Sequence, residues 1–234
     1  MRQAAIITAL AYLLDPVSYA EFTLYPKLVV AGNAAQTIHN IDAHCGMFAA
    51  AIVCYLVNFL EDIVIAWALF VLLAPVNRAL SLLTAWLRLM YTAMGLAAVM
   101  ELATAFRMIA RAHGTAALDS SSLQAQVDLL LSTFRFGWSF SLIVFGFHLV
   151  LLGYLVYRAG YMPKILGAVL SVVGIAWIVY ELRPYLYPSA NLGWIPLVGI
   201  GELALPLWLL IMGWRIKTPP SDATLGVLPV VDVG

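Results

Sequence analysis

Charged side chains are scarce in this sequence. They make up only 10% of its 234 residues, whereas hydrophobic residues make up 64%. Soluble domains use roughly 45–50% apolar residues, and a soluble fold of this length has too little interior to bury the excess. The apolar residues also lie in long runs, each close to the ~20 residues that a helix needs to cross a bilayer. The composition therefore excludes a soluble domain and predicts an all-α, polytopic membrane helix bundle.

Recognisable cofactor and nucleic-acid motifs are also missing. Lysine and arginine total 12, aspartate and glutamate total 12, and no basic cluster indicates a nucleic-acid partner. The sequence contains no glycine-rich phosphate loop, no GxSxG motif and no haem-type histidine pair. Its two cysteines, Cys45 and Cys54, fall within one predicted helix at a separation too large for a disulfide. We therefore expect no cofactor and no metal.

The apolar runs and the turn residues between them predict about six transmembrane helices. Glycine, proline, asparagine and serine mark the joints. The predicted helices cover residues 3–30, 44–74, 79–110, 122–158, 164–187 and 192–215. We accordingly predict a single transmembrane domain over residues 1–217 and a short cytoplasmic tail over residues 218–234.

The N-terminal segment has features of a secretory signal: Arg2, an apolar run, and the small residues Ser18 and Ala20. Whether it is cleaved is left open by the sequence. Because apolar character resumes after Ala20, we interpret residues 3–30 as a membrane helix kinked at Pro16.

The distribution of basic residues predicts the orientation of the bundle. Lysine and arginine near helix ends favour the cytoplasmic side. One set of ends carries most of them: Arg2, Arg78, Arg158, Lys164, Arg215 and Lys217. Both termini are therefore predicted to be cytoplasmic, in a multi-pass protein of the inner (plasma) membrane.

The stretch FLEDIVIAW, residues 59–67, places Glu61 and Asp62 in an otherwise lipid-soluble helix. A charged residue at a helix centre costs about 2.5–3.5 kcal/mol on insertion scales. At ~1.5 Å per residue, several polar groups lie about 14–20 Å from the predicted cytoplasmic helix ends, near the midplane of a ~30 Å slab. These groups are Asp15, Asp62, Arg88, His148 and Glu202. Glu61, next to Asp62, adds a fourth acid. Four acids and the one fixed cation, Arg88, cannot all be ionised there, so neutral carboxylic acids or a bound cation are expected.

The excess of acid suggests acid catalysis on a lipophilic substrate. The candidate catalytic residues are Asp62, Glu202, Glu61, Arg88 and His148. The candidate substrate-binding residues are Tyr55, Asn58, Tyr91, Trp138, Trp177, Tyr180, Glu181 and Trp208. In this hypothesis a neutral acid, Asp62 or Glu202, protonates an alkene or epoxide, and aromatic faces stabilise the cationic intermediate. Glu61 tunes that acid and Arg88 positions the partner carboxylate. The predicted reaction is isomerisation or cyclisation of an isoprenoid-like small molecule, by a cofactor-independent enzyme.

Two other functions fit the same residues. Acids and a histidine at one depth form a plausible proton relay, which favours a proton- or cation-coupled transporter of small molecules. Alternatively, Arg88 with Asp62 or Glu202 clamps helices together in a scaffold, sensor or accessory subunit. Membrane lipids, a lipophilic small molecule and further copies of the chain are the expected partners, and nucleic acid is not.

Three sets of residues outside this layer have structural interpretations. Near the opposite surface, acids and bases balance and predict ion pairs among Glu21, Glu101, Glu181, Arg107, Arg135 and Arg183. The stretch IHNIDAHC holds metal-binding residue types at His39, Asp42, His44 and Cys45, but at no established spacing, so we expect a polar helix cap. Gly167, Ser171 and Gly174 predict close helix–helix packing.

The sequence resembles a bacterial integral membrane family known as domain of unknown function DUF4386. The likeness covers KLVVAGNAAQTIHNI (27–41), DIVIAWALFVLLAPVNRALSLLTAWLRL (62–89), FGWSFSLIVFGFHLVLLGYLVYRAGYMPKILG (136–167) and GELALPLWLLIMG (201–213). It places family-like residues at Asp62, Pro75, Asn77, Arg88, Gly137, Trp138, Gly146, His148, Gly153, Pro163 and Glu202. Residues outside the family pattern are Asp15, Pro16, Glu61, Arg135, His39 and His44. The resemblance implies a compact multi-helix membrane fold and carries no activity.

Overall fold

A computed structural model describes residues 1–216, and within that range the regular structure is entirely helical. Six of its helices are long and apolar enough to cross a membrane. In chain order the helices are α1 (Arg2–Leu28), α2 (Ala34–Ala43), α3 (Cys45–Leu73), α4 (Arg78–Ala112), α5 (Ser121–Arg158), α6 (Lys164–Leu186) and α7 (Ile195–Arg215). The predicted all-α, polytopic architecture is confirmed. The tail predicted at residues 218–234 lies outside the described residues.

Helix α2 was not predicted. It is short and carries a narrow apolar stripe of Thr37, Ile38 and Ile41, which is buried against the bundle. The Asn33 side chain caps its first turn by accepting a hydrogen bond from the Gln36 N–H at 2.9 Å. Residues 31–43 fall between two predicted membrane helices, because this segment is too short and too polar to cross a bilayer.

The six membrane helices form a closed ring. Going around it, α1 contacts α3, α3 contacts α4, then α5, α6 and α7 follow, and α7 returns to α1. Met1 and Ile216 therefore lie at the same end of the bundle, which we call the terminal end. The opposite end, which carries α2 and the connections at 113–120 and 187–194, is called the loop end. Which end faces the cytoplasm stays a prediction.

Helices α5 and α6 pack backbone to backbone. A Cβ atom added at Gly153 would lie 2.5 Å from the Gly167 carbonyl oxygen, and one added at Gly174 would lie 2.5 Å from the Gly146 carbonyl oxygen. Only glycine leaves room for so close an approach. The predicted packing role of Gly167 and Gly174 is confirmed.

Helix α1 is interrupted in the middle of the bundle. Its first α-helical part ends at Leu14, Asp15 has an extended backbone, and a π-helical turn follows at Ala20–Leu24. Pro16 has no N–H to offer the carbonyl of Tyr12, and the N–H of Val17 donates to the Asp15 carboxylate at 2.9 Å. The predicted kink at Pro16 is confirmed. The break places the polar Asp15 side chain beside α3, where the site is built.

Helix α7 is irregular as well. A 3₁₀ segment, Gly199–Leu203, separates its first turn from the α-helical stretch Ala204–Met212. Glu202 lies in this tighter segment. Both helices that close the ring are thus irregular where they carry an acid.

Candidate functional site

Arg88 lies at the centre of the ring and contacts three other helices. Its Nε donates to Oδ1 of Asp62 on α3 at 2.8 Å, and a terminal nitrogen donates to the same oxygen. The other terminal nitrogen donates to the Tyr12 hydroxyl of α1 at 2.5 Å. It also lies 3.3 Å from Nε2 of His148 on α5. Because Arg88 and Asp62 are 2% and 3% exposed, this is a buried ion pair within the membrane-spanning region.

His148 is held in one orientation. Its Nδ1 lies 2.9 Å from the backbone carbonyl oxygen of Thr84, and a carbonyl can only accept, so Nδ1 carries a proton. Its Nε2 faces the Arg88 guanidinium, which can only donate, so Nε2 accepts. The ring is therefore neutral. His148 orients Arg88 here rather than supplying a second positive charge.

One oxygen of the Asp62 carboxylate is unused. Oδ1 takes both bonds from Arg88, whereas Oδ2 is buried and has no hydrogen-bond partner among the described residues. A buried, unsatisfied carboxylate oxygen is costly. It is a natural position for a proton or a small cation.

Two further acids lie next to Asp62, along the contact between α1 and α3. The Asn58 amide is assigned with its nitrogen toward α1, because only that assignment pairs it with an acceptor; it then donates to the two carboxylate oxygens of Asp15 at 3.1 and 3.0 Å. Oε2 of Glu61 has no partner among residues 1–216. The charges of Asp15 and Asp62 both act on Glu61. The predicted gathering of acids around one fixed cation is thus present.

Glu202 approaches the same cluster from α7. It accepts a hydrogen bond from the indole nitrogen of Trp177 on α6. It also lies within range of electrostatic interaction with Arg88 and Asp62. Unlike Asp62, Glu202 is not fully buried. The hydrogen bond thus joins two residues of the predicted site, Glu202 and Trp177.

The predicted aromatic residues pack mainly against one another and against phenylalanine. Tyr55 and Trp138 have ring centroids 5.3 Å apart, and Tyr91 lies 4.8 Å from Phe145. Tyr55 is fully buried and Tyr91 is almost so. Their substrate-binding role stays a prediction, since the rings occupy the space that a substrate would need.

Three predicted substrate-binding residues lie away from Asp62. Glu181 accepts a hydrogen bond from Ser139 of α5, and Tyr180 packs edge-on against Trp177. Trp208 lines a cavity of about 290 Å³ at the terminal end, together with Tyr161, Met212, Arg215 and Ile216. The structure does not bring these residues into contact with the Arg88 cluster.

A second polar cluster lies toward the loop end. Arg135 of α5 donates to both carboxylate oxygens of Glu21 on α1, at 3.0 and 2.9 Å. Tyr55 donates its hydroxyl proton to Glu21 at 2.6 Å. The Arg135 guanidinium also stacks on the Tyr25 ring, 3.9 Å from its centroid. The predicted ion pair of Glu21 with Arg135 is confirmed.

The other predicted ion pairs in this layer are wrong. Glu181 uses Ser139, and Arg183 donates to the Pro188 carbonyl at 3.3 Å. Glu101 and Arg107 form no ion pair within residues 1–216. The sequence analysis balanced these charges by depth alone, and depth does not specify which helix faces meet.

The residues of IHNIDAHC attach α2 to the α4–α5 connection. Nε2 of His39 lies 2.9 Å from Oδ1 of Asp119, and Nδ1 of His113 lies 2.7 Å from Oδ1 of Asp42. His44 ends α2 with its Nδ1 3.1 Å from the Asn40 carbonyl oxygen. The described residues contain no group of three or more potential metal ligands. The stretch ties helices together and ends α2.

An open groove of about 540 Å³ adjoins the Glu21–Arg135 pair. Its walls come from the end of α1, the Val29–Ala34 connection, α2 and α5. The lining residues are Tyr25, Pro26, Val29, Val30, Ala31, Gly32, Ala34, Thr37, Asp128, Leu131, Ser132 and Arg135. The groove lies at the loop end of the bundle.

Comparison with known proteins identifies the family. The model of the domain of unknown function DUF4386 matches residues 7–213. The chain belongs to this family. An uncharacterised protein of the archaeon Archaeoglobus fulgidus is 28% identical over 185 residues, which are 79% of this chain and 90% of that protein. No solved structure matches the chain. The family assignment places the Asp62–Arg88 pair in a membrane protein fold and carries no activity.

Sequence reasoning missed two members of the site. Tyr12 was not singled out, although its hydroxyl accepts from Arg88. Glu21 was assigned only to an outer ion pair, although it also joins the buried stripe of α3 through Tyr55. A signal was available for Tyr12: it lies one turn before Asp15, on a helix that was already expected to reach midplane depth.

Proposed function

We propose that this protein is a proton- or cation-coupled membrane transporter in which Asp62 is the ion-binding group. The observation that carries the proposal is the unpartnered Oδ2 of Asp62, buried beside the break in α1. Secondary transporters place coupling-ion sites near the midplane, at helices that are interrupted there. Asp15 on the broken helix and Glu61 supply further oxygen atoms nearby.

The Arg88 ion pair provides a two-state element. A proton or cation bound to Asp62 neutralises the carboxylate and weakens the ion pair between Asp62 and Arg88. Arg88 is then attracted by Glu202, the acid that α7 contributes to the ring. Because α1 and α7 are the two irregular helices, a shift of Arg88 between α3 and α7 would be transmitted to the helices best able to bend.

The isomerase or cyclase hypothesis has less support. It needs a lipophilic cavity beside a neutral acid, and neither of the two cavities described above is lined by Asp62, Glu61 or Glu202. The aromatic residues that would stabilise a cation instead fill the core with one another. The scaffold hypothesis explains the ion pair, but it does not explain the acids that surround it.

Ion movement in proteoliposomes tests the proposal. Purified protein is reconstituted with a pH-sensitive dye, a K⁺ diffusion potential is imposed, and proton uptake is recorded with and without Na⁺. The key variant is the double substitution Asp62→Asn with Arg88→Gln, which removes both charges and leaves no unpaired one in the core. Asp119→Asn, an exposed acid on the connection between α4 and α5, is the matched control.

We expect proton uptake, or Na⁺-dependent proton exchange, in the wild type and in Asp119→Asn, and its loss in a folded double variant. Wild-type vesicles that move neither ion faster than protein-free vesicles would contradict the proposal. So would a folded double variant with wild-type rates.

A further inference from the structure

A row of polar groups runs along the contact between α1 and α3. On α3, Tyr55, Asn58 and Asp62 lie at spacings of three and four residues, and so form one stripe on one helix face. Two residues of this stripe contact acids of α1. Tyr55 donates to Glu21 at 2.6 Å, and Asn58 donates to Asp15 at 3.1 and 3.0 Å. The row thus alternates between the two helices from the loop end to the midplane.

Packing does not require this row. Tyr55 is fully buried, and Asn58 and Asp62 are 6% and 3% exposed, in a ring of helices that is otherwise sealed by apolar side chains. Each buried polar group costs free energy unless it is fully hydrogen-bonded. Apolar residues on both helices would seal this contact at lower cost, so the row calls for an explanation beyond stability.

The two ends of the row differ in exposure. The Asp62 and Arg88 side chains are 5% and 3% exposed, whereas those of Glu21 and Arg135 are 20% and 40% exposed. Arg135 also lines the open groove of about 540 Å³. One end of the row is therefore accessible from the loop end, and the other ends at the unpartnered Oδ2 of Asp62.

We propose that this row is a proton pathway, with Glu21 as its entry group and Asp62 Oδ2 as its terminus. This pathway rests on the proposed function. It specifies that the transported ion is a proton and that the proton enters from the loop end. A proton from the groove binds the Glu21 carboxylate. The Tyr55 hydroxyl turns away from Glu21, and protonated Glu21 donates to the Tyr55 oxygen. The original hydroxyl proton of Tyr55 passes through bridging water to Asp15, so that Tyr55 stays neutral throughout. Asp15 delivers the proton to Asp62.

The groups around Glu21 suit it for entry. Tyr55 of α3 donates a hydrogen bond to Glu21, and Arg135 of α5 forms an ion pair with it. Tyr25, on the same helix as Glu21, stacks against Arg135. The Arg135 guanidinium contacts both oxygens of Glu21, at 3.0 and 2.9 Å, and fixes the position of the carboxylate beside the groove. Tyr55 and Asn58 are one helical turn apart on α3. The proposed transfer from Tyr55 to Asp15, which Asn58 contacts, crosses this turn through bridging water.

The test compares Tyr55→Phe and Glu21→Gln with the wild type in the proteoliposome assay. Tyr55→Phe removes only the relaying oxygen, and Glu21→Gln keeps the shape of the entry group while removing its ability to bind a proton. Glu101→Gln, which neutralises a half-buried acid on α4, is the control. Unfolding temperatures in the same lipid, together with the double Tyr55→Phe and Glu21→Gln variant, separate loss of function from loss of fold.

Proton uptake at least ~10-fold slower in both folded variants, with Glu101→Gln unchanged, is the expected result. A double variant no slower than either single would place both residues on one path. Wild-type rates in both variants would overturn the pathway and leave the proposed function standing. Na⁺ movement without proton movement in the wild type would also overturn the pathway, and no ion movement at all would remove the proposed function itself.

Discussion

The guanidinium of Arg88 gives two of its hydrogen-bond donors to a single oxygen of Asp62 and leaves the other oxygen without a partner. A structural clamp would be expected to pair both oxygens, as Arg135 does with Glu21. The buried pair is thus incompletely satisfied, and the exposed pair is fully satisfied. This contrast is the main reason for assigning an ion-binding role to Asp62.

The first prediction concerns the energy of the buried pair. Asp62→Asn leaves the Arg88 charge buried and uncompensated, and should lower the free energy of unfolding by about 3–5 kcal/mol. Adding Arg88→Gln removes that charge and should recover most of the loss. Chemical unfolding in detergent measures both, with Asp128→Asn as control. A double variant as unstable as the single would show that burial of the unpaired charge is not the cause.

The second prediction concerns the contact between α5 and α6. Gly167→Ala would place a Cβ atom 2.5 Å from the Gly153 carbonyl oxygen and should destabilise the protein by about 1–3 kcal/mol, because the two backbones must move apart. Gly46→Ala is the matched control, since it adds the same methyl group within α3 and meets nothing within 4 Å. It should be neutral or slightly stabilising. Equal unfolding temperatures for the two variants would refute this contact.

The third prediction concerns His148. Its ring donates to the Thr84 carbonyl and accepts from Arg88, and a glutamine amide offers the same combination of donor and acceptor. His148→Gln should therefore stay within about 1 kcal/mol of the wild type. His148→Leu leaves buried polar groups unsatisfied on both sides and should cost about 1–3 kcal/mol more. Thermal unfolding of the two variants separates them, and the reverse order would contradict the tautomer assigned here.

The fourth prediction concerns the pairs that attach α2. The His39–Asp119 pair is strongly exposed, with side-chain exposures of 52% and 71%. Exposed ion pairs contribute little, so Asp119→Asn should change the free energy of unfolding by under about 1 kcal/mol. A larger loss, resistant to added salt, would indicate that this connection supports the bundle itself.

The membrane architecture could be predicted because it depends on long apolar runs and turn residues, which are local features of the sequence. The break at Pro16 and the close contact of Gly167 with α5 were predictable for the same reason, since each follows from one residue type. Helix α2 was missed because its ten residues, Ala34–Ala43, form an amphipathic helix that packs across the bundle end and does not span it.

The site was predicted in part. Depth along each helix brought Asp62, Arg88 and His148 to one level, and their buried charges predicted that they would meet. Depth could not show which faces pack together, so the partner of Glu202, which is Trp177, and the isolation of Glu181 were not foreseen. The packing of Tyr55 against Trp138 likewise depends on how α3 and α5 are rotated about their axes. The sequence of either helix alone does not specify that rotation.

The central claim is that Asp62 reversibly takes up a proton or a cation. Infrared difference spectroscopy on protein in lipid bilayers tests it directly by recording carboxyl and carboxylate stretching bands after steps in pH and in Na⁺ concentration. The account predicts a reversible carboxyl or carboxylate change in the wild type that is lost in the folded double variant Asp62→Asn with Arg88→Gln and is retained in Asp119→Asn. Identical difference spectra for the wild type and the double variant would contradict it.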